Sequence, residues 1–213
     1  MKRDTLLAIV GDEPLFTTGM LVGPGTDVDD VRKQLSRWTK DGTVLQLRRG
    51  LYALASPYRR RDPHHFEVSN ALVPGSYVSL ETVLADAGLI PEAVFVTTAV
   101  TTGRQGSRKT PFGTYVYQHV KDGVFWGYEP ADIGDGRIAF VALAEKALLD
   151  LAYLRSHADQ RAFARELRLQ RLDSINRERL LSFSKRFGSR KVEQFARNVI
   201  ALAREESEEY EQS

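Results

Sequence analysis

Residues 28–54 read VDDVRKQLSRWTKDGTVLQLRRGLYAL, and this stretch decides the fold of the first part of the chain. Val28, Val31, Leu35 and Trp38 recur at helical spacing and make one apolar stripe. Thr26 or Asp27 can cap the start of that helix, and Gly42 stops it. Thr43 to Leu47 then alternates, with Gln46 the polar residue. Arg48-Arg49-Gly50 is a turn, and Leu51 to Ala55 is the returning strand. Upstream, Asp4 to Val10 reads as a short helix. Leu15 to Leu21 reads as a second, closed by Val22-Gly23-Pro24-Gly25. Three helices and a two-stranded ribbon are the order of a winged helix-turn-helix.

At 100° per residue, Val31, Leu35 and Trp38 point one way. Lys33, Ser36, Arg37 and Lys40 point roughly opposite, with Arg32 on the flank. A helix that reads DNA needs this division: one face buried, the other long, cationic and rich in donors. Arg48 and Arg49 at the ribbon tip suit phosphates or a minor groove. The expected DNA-binding residues are therefore Arg32, Lys33, Ser36, Arg37, Lys40, Arg48 and Arg49. The plainer alternative is a solvated basic helix face and a soluble hairpin. Asp27, Asp29 and Asp30 crowd the helix start; they complement its dipole but repel phosphates. That shifts the expected contacts toward Lys33, Arg37 and Lys40.

Around the two prolines and three arginines of Ser56-Pro57-Tyr58-Arg59-Arg60-Arg61-Asp62-Pro63 the composition changes. The expected organisation is a DNA-binding domain over 1–56, a linker over 57–63 and an α+β domain over 64–213 with a helical C-terminal part. In that second part Phe66 to Leu72 and Leu80 to Ala87 read as helices. Val94 to Val100, Tyr115 to Val120, Val124 to Tyr128 and Arg137 to Val141 read as strands. Leu143 to Arg155 is helical, and from Asp159 onward the pattern is helical to near the end.

The chain of 213 residues carries 30 Lys and Arg against 28 Asp and Glu, but unevenly. Residues 1–61 hold 11 basic and 7 acidic side chains, and 155–191 hold 11 and 4. Residues 204–213 hold one Arg and five Glu. Basic segments suit polyanions. There is no cysteine, which excludes disulfides, a cysteine nucleophile and Cys-ligated metal. No apolar run approaches a membrane span. The four or five apolar residues after Lys2 and Arg3 are too few for a secretory leader, so a cytoplasmic setting is expected.

Several segments in order resemble AbiEi-type antitoxins of bacterial type IV toxin–antitoxin (abortive-infection) systems. They are Val31 to Trp38, Leu47 to Leu54, Tyr77 to Leu84 with Gly88 to Pro91, and Val96-Thr-Thr with Thr110 to Tyr115. Phe125 to Tyr128 and Ala144 to Leu154 follow. Ala144 replaces a proline of the family pattern, where it serves only to start a helix. The resemblance covers residues 1–155. It implies a non-enzymatic autorepressor, monomeric in solution, that binds double-stranded DNA at its own promoter, at inverted repeats. It also implies an antitoxin that counters a nucleotidyltransferase-like toxin without a stable complex. No metal or cofactor is implied.

Two alternatives remain from the residues. Glu145, Lys146 and Asp150, with Glu81, could form a metal-dependent nuclease or nucleotidyl-transfer site. Otherwise Lys146 and Asp150 form an ordinary i,i+4 helix pair. Gly103 to Thr110 has the look of a phosphate loop but lacks the Gly-Lys-Ser/Thr order. The last helix and the Glu205–Glu209 tail could instead bind a protein.

Overall fold

A computed structural model describes residues 1–211, with side chains through Glu205. The acidic tail beyond Glu205 therefore lies outside the described side chains. The chain is a mixed α+β protein.

Residues 3–54 form helix α1 (Arg3–Val10), strand β1 (Phe16–Thr17), helix α2 (Val28–Lys40), strand β2 (Val44–Arg48) and strand β3 (Leu51–Leu54). The strands make one antiparallel sheet in the order β1-β3-β2. The helix expected over Leu15–Leu21 is instead β1 followed by a 3-10 turn over Thr18–Leu21. Its segment is short, bounded by Pro14 and interrupted by Thr17, Thr18 and Gly19. The free edge of β3 takes it up, pairing Phe16 with Tyr52 and Thr17 with Leu51.

All four residues of β3 are buried, although successive side chains point to opposite faces. Tyr52 and Leu54 join Leu6, Val10, Phe16, Leu21, Val31, Leu35, Trp38 and Val44 in one cluster. Leu51 and Ala53, with Leu47, join Val68, Leu72, Ala99, Tyr115 and Tyr117 in another. The second cluster belongs half to the rest of the molecule, so the hairpin is packed on both sides.

Residues 65–142 supply helices α3 (His65–Leu72) and α4 (Glu81–Asp86) and strands β4 (Ser76–Val78), β5 (Val96–Thr101), β6 (Gly106–Thr110), β7 (Gly113–His119), β8 (Tyr128–Asp132) and β9 (Ile138–Ala142). The sheet order is β6-β7-β5-β4-β9-β8, with β5–β7 and β4–β9 parallel. Gly103 to Thr110 is no phosphate loop: Gly106–Thr110 pairs antiparallel with β7. The strand expected over Val124–Tyr128 is displaced. A 3-10 turn occupies Asp122–Val124, and pairing begins at Tyr128. Gly127 allows this bend, with φ +76 and a Cβ position only 3.0 Å from the Lys146 side chain. The helical pattern expected from Asp159 onward is made of three helices, α6 (Arg161–Glu166), α7 (Arg177–Arg186) and α8 (Arg190–Glu211). Arg168 and Arg171 take positive φ, and Gly188 closes α7 at φ +63.

Helix α5 (Ala144–Leu154) is enclosed by α4, α7, α8 and β9. Every residue from Glu145 to Ala152 is buried, so Lys146 and Asp150 are not a helix-surface pair. Both side chains are wholly inaccessible and form an ion pair. Lys146 Nζ also donates to Tyr77 Oη at 2.8 Å. Tyr77 Oη and Ser79 Oγ each donate to Asp150 Oδ2 at 2.9 Å. Burial pushes the Asp150 carboxyl above its ordinary range and the Lys146 ammonium below its own; each charge opposes the other's shift.

Removing one partner of a buried pair leaves an uncompensated charge. Asp150→Ala is expected to cost about 3–5 kcal/mol in urea unfolding. Lys146→Met combined with Asp150→Asn removes both charges and keeps an acceptor for Tyr77 and Ser79. That double variant is expected to be more stable than Asp150→Ala. A loss below about 1 kcal/mol for Asp150→Ala would show that the pair does not hold α5 to β4.

Candidate nucleic-acid interface

Helix α2 is held at its start by Asp27, whose side chain accepts from Asp29 N at 2.7 Å. Val31, Leu35 and Trp38 bury one face, which leaves Arg32, Lys33, Ser36, Arg37 and Lys40 exposed. The exposed residues divide into two stripes. Arg32, Ser36 and Lys40, four residues apart, line a cleft of about 780 Å³ between α2 and the β2–β3 hairpin. Thr18, Thr39, Gln46, Arg49, Gly50 and Tyr52 complete its lining. Lys33 and Arg37 lie outside that lining, on the neighbouring stripe.

Arg48 is not with them. A register shift between Gln46 and Arg48 breaks the alternation that would put both on one face. Arg48 Nε donates to Ala71 O at 3.1 Å, at the end of α3, and Nη1 donates to Arg49 O at 3.2 Å. The structure thus makes Arg48 a clamp between hairpin and α3, while Arg49 remains exposed at the cleft.

The carboxylates at the helix start are partly answered locally. Arg32 pairs with Asp29 and Lys33 with Asp30, each at 3.0 Å. The Asp30 hydrogen bond raises the Lys33 pKa. Pairs this exposed are weak, being screened by solvent, and yield readily to a phosphate. Arg37, Lys40 and Arg49 make no ion pair among the described residues.

Other cations are drawn into the fold. Arg59 pairs with Asp62 at 2.7 Å and lies 5.0 Å from the centre of the Phe112 ring; Arg60 pairs with Asp12. In the basic 155–191 segment, Arg155 pairs with Glu81, Arg168 with Glu92, Arg179 with Glu145, and both Arg161 and Arg165 with Glu205. Lys191 donates to the carbonyls of Tyr153 and Arg155, and Arg186 stacks on Trp126 at 4.1 Å.

The four residues of the nuclease-like alternative do not converge. Lys146 and Asp150 sit in the enclosed network, Glu145 accepts from Asn176 N at 2.8 Å, and Glu81 faces Arg155. A second concavity of about 640 Å³ lies beside the loop before β5. Its lining is mainly apolar (Leu80, Ile90, Val94, Phe95, Val96, Val116), with Glu81 and Arg155 among its charged residues.

Thr18, Thr39, Gln46, Gly50 and Tyr52 are the cleft residues that sequence reasoning missed as part of a site. Gln46 had a signal, as the polar residue in an apolar strand. Tyr52 stands opposite it in register, but only the pairing reveals that.

No protein-family model and no curated protein matches the sequence. Among solved structures, the chain is similar to the RV2827C protein from Mycobacterium tuberculosis, with a TM-score of 0.53 and 13% identity. The match covers 92% of this chain and 76% of that one. At this identity the likeness concerns the fold alone.

The two tip arginines should separate by their effects on stability. Arg48→Ala is expected to lose about 1–3 kcal/mol, since a charged donor leaves a partly buried carbonyl. Arg49→Ala is expected to stay within about 0.5 kcal/mol of wild type in urea unfolding. Equal effects would contradict the clamp.

Proposed function

We propose that the protein is a duplex-DNA-binding regulator in which residues 1–56 act as a winged helix, with α2 as the reading helix and the β2–β3 hairpin as the wing. The observation that carries this reading is the pairing of a buried apolar stripe on α2 with exposed Arg37 and Lys40, and Arg49 across the cleft, none of which holds a carboxylate among the described residues. Arginine suits guanine O6 and N7, and lysine suits phosphates.

The biological setting rests on the resemblance to AbiEi-type antitoxins. In that setting the protein represses its own operon from inverted repeats, bound as monomers, and counters a nucleotidyltransferase-like toxin without a stable complex. A cytoplasmic site of action belongs to the same proposal. Among the described residues, no helix is long and apolar enough to cross a membrane.

The test is a titration of a labelled duplex from immediately upstream of the gene, beside a scrambled duplex, at two salt concentrations. The expected result is a preference for the native fragment that survives the higher salt. Arg37→Ala should weaken the preferred site by about 1–3 kcal/mol and leave the scrambled duplex less affected. Binding to both duplexes that disappears together with salt would contradict specific reading.

A further inference from the structure

We infer that the cleft between α2 and the hairpin seats a phosphodiester group, with the Tyr52 hydroxyl as a fixed donor in its wall; this rests on the nucleic-acid reading above and deepens it. Tyr52 is 7% exposed, in the central strand of the small sheet. Its ring is stacked on Phe16, with centroids 5.7 Å apart. A largely buried hydroxyl ordinarily both accepts and donates. Here the oxygen accepts from Gln46 Nε2 at 3.4 Å, and no described residue accepts its proton. Both Gln46 and Tyr52 line the cleft, which is the side on which we place that proton.

The surrounding groups fit an oxyanion. Arg32, Lys40 and Arg49 bring three cations, while Thr18 and Ser36 bring hydroxyls. No carboxylate is among the described lining residues, and the exposed pair of Arg32 with Asp29 at 3.0 Å is one a phosphate can displace. Thr18 is held in place by its own N–H, which donates to Gly50 O at 3.2 Å. Gly50 turns the hairpin at φ +84, a conformation that favours glycine, and so brings Arg49 to the cleft edge. Cations and neutral donors that converge on one concavity hold tetrahedral phosphate oxygens. A base edge instead asks for a flat donor and acceptor array along the groove floor. The two stripes of α2 therefore divide the work. Arg32, Ser36 and Lys40 hold the backbone with Tyr52 and Arg49, and Arg37 on the outer stripe faces bases.

Tyr52→Phe tests this with the ring and its stacking retained. Native upstream and scrambled duplexes are titrated across a salt series. Tyr52→Phe is expected to bind both about tenfold more weakly, with an unchanged ratio between them. Its salt slope should equal that of wild type, because no cation is removed, whereas Lys40→Ala should reduce the slope by about one phosphate. A scan of single methylphosphonates along the native duplex locates the seat. Wild type should lose affinity sharply at one position, and Tyr52→Phe should lose measurably less there, since its cations remain but the hydroxyl contact is already gone. If Tyr52→Phe binds as wild type does, or keeps the full methylphosphonate pattern, the seat is overturned while DNA binding stands. If wild type binds neither duplex, the parent reading fails. Inorganic phosphate bound by wild type but not by Tyr52→Phe, without duplex binding, would overturn the phosphodiester in favour of a free phosphate.

Discussion

Strand β3 has two apolar faces, and a strand of this kind must be covered on both. Tyr52 and Leu54 close the core under α1 and α2. Leu51 and Ala53 close a second core with α3, β5 and β7. Burying a leucine is worth roughly 1.5–3 kcal/mol, so neither face can be left in water cheaply. The consequence is geometric. The hairpin that borders the cationic cleft is fixed by packing to the large sheet, not by the loop before it. Arg48 adds a polar tie to Ala71 O, and Arg59, stacked on Phe112, holds the connecting segment along the same side. The 57–63 segment separates the residues of the second core in sequence, with Leu47, Leu51 and Ala53 before it and Val68, Leu72, Ala99, Tyr115 and Tyr117 after it, yet that core reaches across it.

The enclosed network of Lys146, Asp150, Tyr77 and Ser79 is the other strong constraint. Two charges taken out of water are tolerated because every group in the network has a partner. Its components come from α5 and from β4 with the residue after it, so it fixes α5 against the large sheet. The aromatic rings of Tyr77, Trp126 and Phe187 stand 4.8–5.3 Å from the ammonium and complete the enclosure. That enclosure explains why residues with the look of a catalytic cluster are here joined to structure.

Helix α2 was legible from residues 28–40 because its signals are local: a periodic apolar stripe, an aspartate cap and Gly42 after its end. The hairpin was legible for the same reason. What failed was decided at a distance. Phe16 and Thr17 form a strand only because β3 offers an edge. Gly106–Thr110 is a strand only because β7 lies beside it. Lys146 and Asp150 look amphipathic until α7 and α8 cover the helix. In the candidate site, the cationic stripes of α2 followed from helical angle alone. The inward turn of Arg48 did not, since it depends on a register shift and on an acceptor 23 residues away. Tyr52 was hidden because a tyrosine in a buried strand carries no mark of where its hydroxyl points.

Charge is spent differently in the two basic regions. In 155–191 many cations answer carboxylates or carbonyls of the same chain, whereas Arg37, Lys40 and Arg49 answer none among the described residues. The proposed interface is therefore α2 and the hairpin, with the C-terminal helices as support. Amide hydrogen exchange, with and without a saturating duplex from upstream of the gene, tests that assignment directly. Slowed exchange across residues 28–54, with 155–191 unchanged, is the predicted result. Protection confined to 155–191, with none across 28–54, would contradict it.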